Sequence, residues 1–189
     1  TFVRRIWGEN AGLVAGVAYM YLPYHLADVY VRAALAESWA LVWFPLLFWG
    51  FYECVVYPRP RAIALTALAY ELLFISHNGL SVPFTFLLMA WIAFWLAADR
   101  LPASKFLGMR LKGILGAGSA AVLGIVLGGI FIFPWLVEYQ YVNTDQWLKG
   151  YFAFPDHFIE FWQLFSPTWG FGISVPGPND NFPLQLGIV

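Results

Sequence analysis

Long apolar runs separated by short polar breaks dominate the pattern along this chain. An α-helix needs about 20 mostly apolar residues to cross a hydrocarbon core of about 30 Å. The first run reaches this length only if its helix begins near Ile6. The pattern therefore predicts about five transmembrane helices, built on the apolar runs 11–22, 38–57, 62–76, 80–98 and 113–137.

Two of these runs carry local signals. Pro45 lies inside the run 38–57 and predicts a kink, because a proline ring removes one hydrogen bond of the helical ladder. The next two runs are separated by His77, Asn78 and Gly79, and Asn-Gly is a turn signal. Residues 62–98 are therefore predicted to form a helical hairpin with this turn at its apex.

The last apolar run carries a small residue at every fourth position. Small side chains on one helix face allow a second helix to approach closely. We therefore expect this stripe to contact a partner helix, through Gly116, Ala120, Gly124 and Gly128.

A more polar stretch, YLPYHLADVYVRAALAE, separates the first two runs. Pro23 favours the first position of a helix, where its missing N–H costs nothing. On such a helix the 100° step per residue places His25, Asp28 and Arg32 within an arc of roughly 60°. The stretch predicts an exterior interfacial helix over 23–37 with one polar face.

Residues 138–183 are too polar to span a bilayer but are rich in Trp, Tyr and Phe, which favour the headgroup region. Within them PDHFIEFWQLF predicts an interfacial amphipathic helix starting at Pro155. Residues 184–189 begin another apolar segment and predict a further, truncated span. The expected organisation is a transmembrane region over 1–137, an exterior aromatic segment over 138–183, and this last span.

Composition agrees with a membrane protein. Hydrophobic residues make up 61% of the chain and charged residues 11%, against about 25% charged in an average globular domain. We therefore expect a multi-pass protein of the cell membrane, in contact with membrane lipid. A net charge of −1 excludes an electrostatic nucleic-acid partner. Cys54 is the only cysteine, so no intrachain disulfide can form.

The basic residues predict the orientation. Eight of the ten lie at the N-terminus and in two loops, and the spans alternate consistently if all eight face the cytoplasm. The stretch 23–37, the His77 apex and everything after Glu138 would then share the non-cytoplasmic face. The chain begins without Met and ends in an apolar segment, so we expect it to be part of a longer polypeptide. The eight residues are Arg4, Arg5, Arg59, Arg61, Arg100, Lys105, Arg110 and Lys112.

The first candidate site is Tyr24, His25, Asp28 and Arg32. Three interpretations stay open. Asp28 and Arg32, four residues apart, could form a structural ion pair, or Arg32 could bind an anionic lipid-linked phosphate or carboxylate. His25 and Asp28 could also bind a metal, although too few ligands are identified.

Two further clusters are candidates. His77 and Asn78 lie at the hairpin apex, where a histidine either satisfies backbone groups or lines a cavity shared with Arg32. Glu71 lies inside an apolar run, where a carboxylate must be protonated, paired or hydrated. On the amphipathic helix, Asp156 and His157, with Glu160, form either a solvated polar face or part of a divalent-cation site. The cofactor is left open, with a divalent metal as one candidate.

The catalytic motifs of common enzyme classes are absent from this sequence. Several uncommon strings nevertheless resemble the bacterial membrane proteins labelled "6-pyruvoyl-tetrahydropterin synthase-related", in order as well as wording. The strings are PYHLADVYVRAALAE, LLFISHNG, FPWLVE, GYFAFPDHFIEFWQLFSPTWGFG and PGPNDNFPLQLGIV.

That family is similar to the GT-C class of glycosyltransferases, which transfer sugars from polyprenyl-phosphate donors at the non-cytoplasmic face. The resemblance implies that Arg32 contacts the donor phosphate. It also implies that the catalytic acidic residue lies before Thr1. It further implies that the substrate cavity is lined by His25, Asp28, His77 and either Asp156 or His157. The predicted substrate-binding residues are Tyr24, His25, Asp28, Arg32, His77, Asn78, Asp156 and His157.

The alternative is a non-catalytic membrane subunit. Such a subunit would contact its partners through the glycine stripe and the aromatic exterior surface. Histidine ligation of a pigment or haem in a larger complex is a third interpretation.

Overall fold

The computed structural model describes residues 2–98, 106–143, 149–150, 153–172, 174–177 and 182–187. These residues form two compact units. The first unit combines residues 3–38 with 138–189, and the second contains Phe2 and residues 39–137. Throughout the described residues the regular secondary structure is helical, which confirms the predicted helical class.

The chain begins with two short helices, α1 (Phe2–Trp7) and α2 (Glu9–Met20). They are separated at Gly8, whose φ of 91° favours glycine. A Cβ on Gly12 would lie 2.6 Å from the Cβ of Arg4, so α1 folds back closely onto α2. The prediction of one continuous helix from near Ile6 is therefore wrong, because Gly8 turns the chain.

The polar stretch is also divided. Helix α3 (Pro23–Tyr30) begins at Pro23 as predicted. The chain then leaves the helical path, and Ala33 has a φ of 52° before α4 (Leu35–Val56) begins. The prediction of one helix over 23–37 is wrong because this left-handed residue turns the chain, so Glu37 belongs to the first turn of α4.

The long helices are α4, α5 (Pro60–Ser76), α6 (Asn78–Ala97) and α7 (Phe106–Leu127), and α8 (Gly129–Glu138) follows α7 after a break at Gly128. Three segments of the described chain are long and apolar enough to cross a membrane. They are Leu35–Val56, Asn78–Ala97 and Gly108–Leu127. The protein is therefore helical with three candidate spans. The count of five stays a prediction, because α2 has 12 residues and α5 has 17.

Helices α5 and α6 form the predicted hairpin, and only His77 separates them. The imidazole Nδ1 of His77 accepts a hydrogen bond from the backbone N–H of Leu80 at 3.1 Å. His77 is therefore the N-cap of α6. The observed turn is one residue long, whereas three residues were predicted. The His77 cap lets Asn78 and Gly79 belong to the first turn of α6.

The small-residue stripe of α7 packs inside the second unit. A Cβ on Gly116 would lie 2.6 Å from the carbonyl oxygen of Cys54 in α4, and one on Gly124 would lie 2.9 Å from the Tyr70 side chain in α5. Ala120 between them is fully buried. The expected close approach is thus present, and the helices that approach are α4 and α5 of the same chain. A partner from outside the chain stays a prediction.

The prediction of an amphipathic helix that starts at Pro155 is wrong. Two short 3-10 helices occupy this region, Phe154–His157 and Phe161–Phe165, and an extended segment separates them. Glu160 and Gln163 form a capping box in which each side chain bonds the other residue's backbone. This box makes Glu160 the start of a new turn instead of an interior helical residue.

Tyr139–Tyr141 forms a further 3-10 helix, and the described residues near the C-terminus are irregular. Residues 182–187 are non-helical, and the backbone N–H of Leu186 donates to the carbonyl of Leu164 at 2.9 Å. The truncated span expected over 184–189 and the interfacial position of the aromatic residues stay predictions. Arg100 and Lys105, two of the eight basic residues predicted to face the cytoplasm, lie outside the described residues.

Candidate functional site

The junction between α3 and α4 brings five polar side chains of the first unit together. They are Tyr24, Asp28, Arg32, Glu37 and Ser38, which we call the Arg32 cluster. Arg32 Nη1 lies 3.0 Å from Asp28 Oδ1, 2.8 Å from Glu37 Oε2 and 3.1 Å from the Tyr24 hydroxyl. The ion pair expected from the four-residue spacing is therefore present, and a second carboxylate shares it.

Both carboxylates are removed from solvent. The side chain of Asp28 is 0% exposed and that of Glu37 is 8% exposed. Asp28 Oδ2 accepts a hydrogen bond from the Ser38 hydroxyl at 3.0 Å, and Glu37 Oε1 accepts one from the Tyr24 hydroxyl. Each of the four carboxylate oxygens therefore has a donor, as buried charges require.

The local fold explains how distant residues meet. Asp28 and Arg32 are neighbours on successive turns of one face, although Arg32 lies just beyond the end of α3. The left-handed Ala33 then reverses the path, and the backbone N–H of Ala34 donates to the carbonyl of Asp28 at 3.0 Å. This turn carries the start of α4 back beside α3, which places Glu37 in contact with Arg32.

The environment shifts the pKa of three members. Burial, followed by the charge of Glu37, raises the pKa of Asp28, while Ser38 and Arg32 oppose the shift. Burial and the bond to Glu37 raise the pKa of Tyr24. Burial lowers the pKa of Arg32, but the charge of Glu37 and smaller contributions from Tyr24 and Asp28 raise it overall. Arg32 is thus a fixed cation and Tyr24 a fixed donor.

One edge of the Arg32 guanidinium stays open. Among the described residues, its hydrogen bonds and ion pairs all use Nη1, whereas a guanidinium carries five N–H donors. The Arg32 side chain is 42% exposed. The ring of Phe182 lies 5.9 Å from its Cζ and meets the Tyr24 ring edge-on at 6.5 Å. The Nη2 and Nε donors are therefore available to a ligand beside an aromatic wall.

His25 points elsewhere. Its Nδ1 lies 2.9 Å from the carbonyl oxygen of Tyr19, and the two rings meet edge-on at 4.9 Å. His25 therefore ties α3 to α2 instead of joining the Arg32 cluster. In the described part of the chain, no group of three or more His, Cys, Asp or Glu residues could hold a metal ion.

The other predicted site residues belong to other helices of the chain. His77 and Asn78 belong to the second unit, where they begin α6. Asp156 and His157 belong to the first unit, in the 3-10 helix Phe154–His157. A metal site formed by Asp156 and Glu160 requires one continuous helix through both residues, and that helix is not formed. A cavity that these residues share with Arg32 stays a prediction.

Glu37 and Ser38 were absent from the predicted site. One signal could have indicated Glu37, namely a carboxylate in the first turn of a long apolar helix, close in sequence to an arginine. Ser38 had no such signal, because its role depends on the turn at Ala33.

In comparisons with protein-family models, curated proteins and solved structures, nothing matches this chain. The resemblance to the "6-pyruvoyl-tetrahydropterin synthase-related" family and to GT-C enzymes stays a prediction.

Proposed function

We propose that the Arg32 cluster binds the phosphate of a polyprenyl-linked sugar, in a multi-pass membrane protein related to GT-C glycosyltransferases and acting at the non-cytoplasmic face. The observation that carries the proposal is the half-open guanidinium of Arg32. Nη1 is anchored by three oxygens, while the opposite edge is free to bind. An arginine held in this way is preorganised for a phosphate.

The charge of the cluster limits this binding. With both carboxylates ionised, Arg32 faces two negative charges, so the cluster carries a net charge of −1. An incoming phosphate is repelled by the excess charge. Protonation of Asp28, whose pKa is raised, removes one charge and favours the anion. We therefore expect phosphate affinity to increase as the pH falls.

In sugar transfer from such a donor, an acidic residue activates the acceptor hydroxyl while cations stabilise the departing phosphate. Arg32 would supply the cation, and the Tyr24 hydroxyl is already engaged with Glu37. The resemblance assigns the acidic residue to a loop before Thr1. Arg32 is accordingly assigned to phosphate binding and not to proton transfer.

The test compares two arginine-to-lysine variants of the full-length protein in lipid nanodiscs. Arg32→Lys keeps the positive charge but loses the planar fork, so polyprenyl-phosphate binding weakens by about tenfold, the equivalent of about 1.4 kcal/mol. Arg4→Lys is the matched control, because Arg4 pairs with Glu9 on the surface of the same unit. Native mass spectrometry measures binding, with the uncharged polyprenol as the control lipid.

Equal binding of polyprenyl phosphate and polyprenol would reject the phosphate assignment. Unchanged affinity in Arg32→Lys, in a variant whose helix content and thermal midpoint match the parent protein, would reject the role of Arg32.

A second candidate function is a non-catalytic subunit in which the cluster only holds α3 to α4. The complete pairing of the four carboxylate oxygens favours this candidate. Under it, Arg32→Lys lowers the thermal midpoint without changing the lipid that copurifies. The two candidates therefore differ in a single measurement on the same variant.

A further inference from the structure

Glu71 lies on an exposed apolar face of α5. Leu68, three residues before it, and Ile75, four residues after it, are each 46% exposed. Residues at these spacings share one helix face, and Glu71 itself is half-buried. The adjoining face of α5, with Ala67 and Tyr70, is buried. A carboxylate thus lies at the edge of an outward-facing apolar surface, beside the buried face of the helix.

The depth of Glu71 follows from its neighbour Tyr70. The Tyr70 hydroxyl lies 2.6 Å from Thr85 Oγ1, and Thr85 is seven residues beyond Asn78, the first residue of the candidate span α6. At 1.5 Å per residue, Glu71 lies about 10 Å inside the hairpin. Within a bilayer this level belongs to the hydrocarbon region and not to the headgroups.

Within the described residues, the Glu71 carboxylate has neither a hydrogen-bond donor nor a cation. Glu53, the other carboxylate of the second unit's spans, accepts a hydrogen bond from Trp49 Nε1 at 3.3 Å. An ionisable group at membrane depth is costly unless it is paired or hydrated. Pairing with a group from outside the described residues would remove this cost at Glu71.

We propose that the α5 surface formed by Leu68, Glu71 and Ile75 binds a membrane-spanning helix of a partner protein that carries Lys or Arg at the level of Glu71. Charge complementarity selects the partner, and the two flanking apolar side chains provide its packing surface. The proposal concerns the second unit alone and is independent of phosphate binding at Arg32.

A second copy of this chain does not fit the surface. Copies in one membrane share an orientation, so a symmetric contact through this face brings one Glu71 towards the other. The basic residues described near this hairpin lie at the starts of α5 and α7. Arg61 is ten residues from Glu71, about 15 Å along the helix. We therefore assign the basic residue to a different protein.

The test uses the full-length protein in native membranes, with a photo-crosslinking amino acid at Leu68 or Ile75. The control position is Val122 in α7, which is also exposed. We expect Leu68 and Ile75 to crosslink to one apolar helix, with Lys or Arg within a turn of the crosslinked residue. Glu71→Lys reduces this product by about tenfold, because it places like charges together. Exchange of the partner's basic residue for Glu restores the product.

A second measurement uses dicyclohexylcarbodiimide, which modifies protonated carboxyl groups in apolar surroundings. We expect the partner helix to shield Glu71 from this reagent in native membranes. Removal of the partner in detergent should expose Glu71 to modification, and the Glu71→Gln variant measures the background reaction. Crosslinks to lipid, to a second copy or to the same polypeptide would overturn the proposal. Crosslinking unaffected by Glu71→Lys, or modification of Glu71 in native membranes, would do the same.

Discussion

The two units hold their helices together by opposite means. In the first unit the Arg32 cluster joins α3 to the start of α4 through charged side chains. Every carboxylate oxygen of the cluster has a hydrogen-bond donor or a cation beside it. In the second unit α7 approaches α4 and α5 through Gly116, Ala120 and Gly124, which leave room for backbone contact. One contact depends on charge and the other on volume.

The difference reflects how each kind of contact gains free energy. In lipid, apolar helices gain little by hiding from their surroundings, so close packing of small residues takes over. A buried ionic cluster adds little by itself, but loss of one member leaves a charge without a partner. The glycine contact should therefore be sensitive to added atoms and insensitive to pH, and the Arg32 cluster should show the reverse.

The largest effect is expected for Arg32→Ala. This change leaves the buried carboxylates of Asp28 and Glu37 without their shared cation. Breaking a buried ionic network by removing one partner costs about 3–5 kcal/mol. Unfolding by denaturing detergent in mixed micelles measures the change. A loss below about 1 kcal/mol, the range of surface ion pairs, would show that the cluster is not a buried network.

Gly116→Leu tests the volume-limited contact. A Cβ at Gly116 meets the backbone carbonyl of Cys54 at 2.6 Å, which a side-chain rotation cannot relieve. Overpacking of this kind costs about 1–3 kcal/mol. Gly118→Leu is the matched control on the same helix, because its Cβ has no neighbour within 4 Å. The same unfolding assay should separate the two variants, and equal stability would contradict the close α4–α7 packing.

The pH dependence separates the two contacts further. Folding raises the pKa of Asp28 above its ordinary value of 3.8, mainly through burial. The folded protein therefore holds this proton to a higher pH than the unfolded chain does. The contribution of Asp28 to the free energy of unfolding falls as the pH rises from about 3.8 through the raised pKa.

Thermal midpoints measured at a series of pH values from about 3.8 upwards report this dependence. Asp28→Asn should flatten it, whereas Gly116→Leu should lower the midpoint equally at every pH. A slope that survives in Asp28→Asn would assign the titration to another group.

The smallest effect is expected for Arg4→Ala. Arg4 Nη2 lies 2.9 Å from Glu9 Oε1, nearly the distances found for Arg32, but the two side chains are 65% and 77% exposed. An exposed ion pair contributes about 0–1 kcal/mol, and Ala keeps the Cβ that packs on Gly12. The unfolding assay should detect almost no change. A loss of unfolding free energy as large as that of Arg32→Ala would show that burial does not explain the difference between the two ion pairs.

Several features could be predicted because they depend on short-range pattern. The apolar runs predicted the candidate spans in α4, α6 and α7, and Pro23 indicated the start of α3. The pairing of Asp28 with Arg32 followed from their spacing. Helix breaks without a strong signal were missed. Ala33 is the clearest case, because a left-handed conformation is uncommon for alanine and no local rule predicts it.

The sequence by itself determined that this chain is helical and apolar enough to enter a membrane. This was possible because the spacing of apolar residues and the length of each apolar run are properties of a single segment. Only the tertiary structure decided that Glu37 shares Arg32 with Asp28 and that the stripe on α7 packs against α4 and α5. Each contact joins two segments that are brought together by a turn outside the contact itself. The first depends on the turn at Ala33 and the second on the turns between the long helices. Their partners therefore cannot be read from the spacing of the residues themselves.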